Sequence, residues 1–153
     1  LPKQVIFPHE VPKAVPMEAH FRRVWNLYRA HTLKKAFDKA VTDGKISSSD
    51  RDTAIHFLFD KQGRINFTPF ILGSLDLRPD LIGDKNLETT RNVFAALELE
   101  FDVCITTAEP FECQVLAQFD GHFKLTEADM RANLPQISGH LLNQNETTQQ
   151  LAA

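Results

Sequence analysis

Aromatic rings other than phenylalanine are almost missing from this chain. One Trp and one Tyr stand beside twelve Phe in 153 residues. Cysteine is equally scarce. Cys104 and Cys113 have no C-x-x-C spacing and no histidine at ligand spacing. That argues against a disulfide scaffold and a zinc finger, and fits reduced thiols in a cytosolic protein. No apolar run approaches the roughly 18 residues of a membrane span, and none reads as a signal-peptide core. The start at Leu1 rather than Met is read as a segment removed or left out. There is no G-x-S-x-G, no P-loop and no H-E-x-x-H. His9, His20, His31, His56, His122 and His140 are scattered, with no carboxylate pattern of a dyad, so an enzyme is not expected.

What is present suits one compact domain or two small lobes: 42% of the residues are apolar and 24% charged. The net charge is −3, unevenly spread. Residues 1–45 carry nine Lys/Arg and four Asp/Glu, and the remainder carries eight and sixteen. Solvated surface accounts for such a split, and neither nucleic acid nor membrane is expected as a partner.

Four prolines in residues 1–16 predict an extended arm. Residues 17–41 lack Gly and Pro. Phe21, Val24, Trp25 and Tyr28, then Leu33 and Phe37, give a helical apolar stripe. Gly44 ends that helix. Ser49-x-x-Asp52 is the expected cap of a short helix near 49–59, which Gly63 ends in turn. Pro69 fits the first turn of a helix at "TPFILGSL". Residues 74–87, with Pro79 and Gly83, read as a linker. Helices follow over "LETTRNVFAALELE", over "TAEPFECQVLAQF", and after Thr126 over "EADMRANL". The expected organisation is an arm at 1–16, lobes at 17–73 and 88–146 joined by 74–87, and a tail at 147–153.

The fold class is therefore all-α, built from tandem helix–loop–helix units. A calcium-binding loop of this type takes oxygens from positions 1, 3, 5, 7, 9 and 12 and needs Gly at 6. With Ile46, Ile65, Ile105 and Leu141 placed at position 8, no loop is intact. The first offers Asp43, Gly44 and Asp50 at 5, 6 and 12, with Asp38 one residue too early for position 1. The second has Pro69 at 12. The third has acids at 1, 3, 5 and 12 but Val103 at 6, where a β-branched residue resists the left-handed backbone. The fourth keeps Gly139 and has no carboxylate. The glycine frame survives and the metal chemistry does not.

"GRINFTPFILGSL" followed by "ETTRNVFAALE" resembles the centre of myosin regulatory light chains, whose second EF-hand ends in a G-x-[IL]-N-F-T-x-F run. "DGHF" with "TEADM", "LPQISGHLLNQN", and "DGKISSSDRDT" resemble later and earlier segments of that family, in order, over about residues 33–146. The resemblance implies two lobes of degenerate EF-hands that wrap and stiffen the lever-arm helix of a myosin heavy chain, an IQ-type helix. It implies a cytoplasmic place on the myofibril or actomyosin cytoskeleton. The expected groove residues are Phe37, Ile46, Phe57, Ile65, Phe67, Phe70 and Ile71 in the first lobe, and Phe94, Leu97, Ile105, Leu116, Met130 and Leu134 in the second. Ca²⁺ or Mg²⁺ in the first loop, on Asp38, Asp43 and Asp50, is the one cofactor left open. Two departures bear on regulation. The spacing from Ile46 to Ile65 is shorter than the family's. No Ser or Thr precedes Thr32, where the family carries a regulatory phosphoserine.

Calorimetric titration with Ca²⁺ is expected to show no site tighter than about 10⁻⁵ M. A submicromolar site, mapped by Asp43→Ala or Glu109→Ala, would bring back a calcium-sensor function.

Overall fold

The computed structural model describes residues 15–103 and 110–133, with side chains from residue 19 onward. Residues 1–14 of the expected arm at 1–16, Ile105, Leu134, the fourth loop and the tail lie outside these residues, while Val15 and Pro16 form the first turn of a helix, where a proline is tolerated. The described chain is all-α. α1 is Val15–Thr42, α2 Ser48–Leu58, α3 Thr68–Ser74, α4 Lys85–Ala96, α5 Phe111–His122 and α6 Glu127–Ala132. A 3₁₀ turn, Pro79–Leu81, lies between α3 and α4. Among the described residues the one extended pairing is an antiparallel bridge between Phe59 and Ile65. No helix there is long and apolar enough to cross a membrane.

Local chemistry sets the helix ends. At the end of α1 the Lys45 N–H reaches the Ala40 carbonyl and the Gly44 N–H reaches Val41, with Gly44 at φ 76°. This left-handed cap satisfies carbonyls that the helix leaves open. Three further helices close with the same hydrogen-bond pattern and no glycine at the left-handed position. Asp76 takes it after α3, Glu98 after α4 and Lys124 after α5, at φ 59°, 58° and 53°. A non-glycine residue there costs about 1 kcal/mol. After α4 and α5 the next residue is apolar and packs inward: Leu99 is buried and Leu125 half-buried.

At the helix starts, Ser47 caps α2 by accepting from the Asp50 N–H, two residues before the expected Ser49. Asp84 caps α4 by accepting from Leu87, so this helix begins earlier than its apolar pattern implies. Thr126 caps α6 through Asp129, as its spacing predicts.

The main core is one cluster. It draws Leu33 and Phe37 from α1, Ala54 and Leu58 from α2, Phe67, Phe70 and Ile71 around α3, Leu87, Val93 and Phe94 from α4, and Val115 and Phe119 from α5. Segment 74–87 therefore does not separate two cores among the described residues. It crosses the core edge instead, with Leu81 packed on the cluster. α2 lies most closely against α4. Between α3 and α4 Gly73 allows a close approach: a Cβ at this position would sit 2.8 Å from the Leu87 side chain.

Phe94 is the hub. Its ring lies 4.7 Å from Phe70, 5.9 Å from Phe101, 6.2 Å from Phe37 and 6.3 Å from Phe67, centroid to centroid. Tilted and edge-on pairs of this kind add to the burial energy. Phe94→Ala is expected to destabilise the fold by about 3–5 kcal/mol, read by chemical denaturation. A loss below about 1 kcal/mol would show that the shared cluster does not hold the fold together.

Candidate functional site

In the second loop the chain itself supplies the donors around the Asp60 carboxylate. The Asp60 carboxylate accepts from the backbone N–H groups of Gln62 and Arg64 at 2.8 and 2.9 Å, and from Arg64 Nε at 2.9 Å. Gly63, at φ 78°, makes the turn. Ile65 then bridges back to Phe59 within the same loop. Burial pushes the Asp60 carboxyl up, but the Arg64 backbone N–H, the Arg64 guanidinium and the Gln62 N–H more than offset it. Its pKa falls below the usual carboxylate range.

The first loop is not a twelve-residue loop at all. α1 runs to Thr42 and only residues 43–47 connect it to α2. Asp38 pairs with Arg51 at 3.0 Å, Asp43 with Lys39 at 2.7 Å, and Asp50 sits in the first turn of α2. Among the described residues no three acid, His or Cys side chains converge on a point where an ion would sit. Ile46 does not pair with Ile65; its N–H is directed to the Ala40 carbonyl at 3.4 Å. A tight cap on α1 consumes the residues that a metal loop would need.

The expected groove residues fall into two sets. Phe37, Phe67, Phe70, Ile71 and Phe94 are buried in the main core. Ile46, Phe57, Ile65, Leu97 and Leu116 are half-buried against it. In the first set one ring packs beside another, and the same residues also reach the surface: Phe67 edges one open cleft, and Phe70, Ile71 and Phe94 edge another.

Met130 belongs to a separate cluster. It is buried with Val24, Trp25, Leu27 and Tyr28, and Phe21 and Leu125 close its edges. The N-terminal half of α1 thus lies on the α5–α6 pair. Phe21 stacks on Trp25 at 6.4 Å, and Tyr28 meets Trp25 edge-on at 5.9 Å. Asp120 of α5 fixes the contact. It accepts from Arg29 Nε at 2.7 Å, from Arg29 Nη2 at 2.6 Å and from Trp25 Nε1 at 3.2 Å. The Arg29 and Asp120 side chains are 13% and 22% exposed, so water screens this forked pair less than a surface pair. Burial and the negative charge of Asp129 on α6 raise the Tyr28 phenol above its ordinary pKa.

Two clefts flank this arrangement. One, of about 350 Å³, lies between Asn26 and Arg29 of α1, the Asp60–Thr68 loop, and Phe111 to Leu116 of α5. The other, of about 300 Å³, is lined by Phe70, Ile71 and Leu75 on one side and by Phe94, Leu99, Phe101 and Val103 on the other. Leu75, Leu77 and Ile82 nearby in sequence are exposed.

No family model, no curated protein and no solved structure matches the chain.

The apolar stripe of α1 is visible in the sequence, but its acceptor is not. Asp120 carries a signal all the same. An acid in the last turn of a helix opposes the helix dipole, so it stands out as a residue held there by a partner. Tyr28 offers a test of the seat. A group whose pKa is raised on folding stabilises the fold below its unfolded pKa and loses that contribution as pH rises through the folded value. Above pH about 10 the α1 contact is expected to loosen, with a red shift of Trp25 emission, and Tyr28→Phe is expected to delay it. An identical shift in both chains would assign the change to another group.

Proposed function

We propose that this chain is a non-catalytic subunit that holds an amphipathic helix of a larger partner, in the manner of a myosin regulatory light chain on the lever-arm helix of a heavy chain. In this reading the helix–loop–helix units are degenerate EF-hands arranged as two lobes, and their loops serve as frames for helix pairs rather than as ion sites. The partner helix is stiffened by having its apolar face covered. The observation that carries the reading is the α5–α6 pair with a helix already on it. Phe21, Trp25 and Tyr28 anchor that helix at i, i+4 and i+7, and an arginine one residue further meets a carboxylate. Grooves that receive helices read this spacing. The myosin part of the reading rests on the residue pattern around "GRINFTPF".

A second reading keeps the helix seat and drops the motor: a structural subunit that clamps a helix in another assembly. The core shared across segment 74–87 favours it, since two lobes that close around a long helix would each need a core of their own.

Titration of the full chain with an IQ-type heavy-chain helix is expected to show micromolar or tighter binding, about −8 kcal/mol, weaker at high salt. The acidic part of the chain beyond residue 45 favours the basic residues of such a helix. No binding at about 100 µM would remove the myosin reading. Binding of unrelated basic amphipathic helices with equal strength would favour the structural subunit.

A further inference from the structure

The seat on α5–α6 is occupied by the chain itself. We infer that the N-terminal half of α1 is an internal stand-in for the partner, and that a partner helix gains access by displacing it. This rests on the helix-binding reading and adds its regulation.

Three observations meet here. First, α1 has two separate attachments. Leu33 and Phe37 enter the main core, whereas Val24, Trp25, Leu27 and Tyr28 enter only the smaller cluster with Met130. The two clusters meet at Leu125, which packs against both, and the rings around Phe94 include none from the N-terminal half of α1. Second, one carboxylate of α5 gathers several polar contacts from α1: Asp120 takes both Arg29 contacts and the Trp25 indole N–H. Third, the seated face is a single amphipathic stripe: its anchors are spaced i, i+4 and i+7, as a helix held in a groove has them, while Arg22, Arg23 and Asn26 on the remaining face are exposed. The aromatic residues are spent unevenly as well: the single Trp and the single Tyr of the chain both lie on this face.

The partner that fits is defined by the same chemistry. It is an amphipathic helix with bulky rings at i, i+4 and i+7. It carries a guanidinium at i+8 to replace Arg29 on Asp120, and a ring N–H at i+4 to replace the Trp25 donor. A closed seat lowers the partner's apparent affinity by the fraction of time that α1 is away. Any change that weakens the α1 side alone raises that affinity.

The test uses the full chain and a fluorescein-labelled peptide copying residues 17–32, "MEAHFRRVWNLYRAHT", read by anisotropy. The parent chain is expected to bind it weakly. Trp25→Ala and Arg29→Gln, each of which loosens the internal helix and leaves the seat intact, are expected to bind it at least about tenfold more tightly. Circular dichroism is run on each variant. Arg29→Gln removes only the charge and the fork, and so keeps the test open if Trp25→Ala does not fold. A folded Arg29→Gln chain that binds the peptide no better than the parent overturns the exchange. An IQ-type helix run alongside separates the two ideas. If it binds parent and Arg29→Gln chains equally well, helix binding stands and displacement fails. If neither peptide binds any chain, both fail.

Discussion

The phenyl ring of Phe94 fixes the rest of the fold. Rings from α1, from the entry to α3, from α3 itself and from the segment after α4 all meet it. Phe119 of α5 joins through Phe67 at 5.7 Å. Six-membered rings are rigid plates, so moving one obliges its neighbours to move. Close-packed interiors transmit such displacements rather than absorb them. The helices are short, five of the six having twelve residues or fewer, and few would persist alone in water. Their stability comes from the faces they turn to these rings.

Around the core closed in this way, the loops hold ion pairs of their own. In the second loop the Arg64 guanidinium lies against Asp60, and two backbone N–H groups complete the ring of donors around that carboxylate. A cation carried by the chain does the neutralising that a dissolved ion would do elsewhere. In the first loop Lys39 and Arg51 stand beside the acids Asp43 and Asp38 in the same way. The loop geometry is thereby fixed at the helix ends. The α5–α6 pair has its start and turn set by Pro110, Lys124 and Thr126, and α1 lies on it.

Much of the helix content was legible in the sequence. The long Gly- and Pro-free stretch became α1, Pro69 opened α3, and Thr126 capped α6. Boundaries were harder where the usual signal was absent. Asp76, Glu98 and Lys124 adopt the left-handed backbone that a reader assigns to glycine, so α4 stops at Ala96 although its helical pattern continues to Glu100. Ser47 and Ser49 are both plausible caps, each with an aspartate three residues on, and only the geometry selects the first. The candidate site was half legible. The α1 stripe from Phe21 to Tyr28 was plain. A groove residue and a core residue, however, have the same chemistry, and periodicity cannot tell Phe70 in a core from Phe70 in an open groove. Pairings over long sequence distance, such as Arg29 with Asp120, leave a mark on one side only: the acid in the last turn of α5 asks for a partner, and nothing local says that the partner is Arg29.

That distance has a kinetic consequence. Residues 43–47 join α1 to α2, so the two helices find each other by closing a very short loop. Arg29 and Asp120 are 91 residues apart. Closing the longer loop costs roughly 2–3 kcal/mol more in chain entropy, and local contacts form first. The α1–α2 hairpin therefore assembles early, and the N-terminal half of α1 settles onto α5–α6 later. In the native state the order reverses. The contact made later is the first to open, and it opens as a unit. Amide hydrogens over residues 21–29 are then exchanged for deuterium well before those near Leu33 and Phe37 on the same helix.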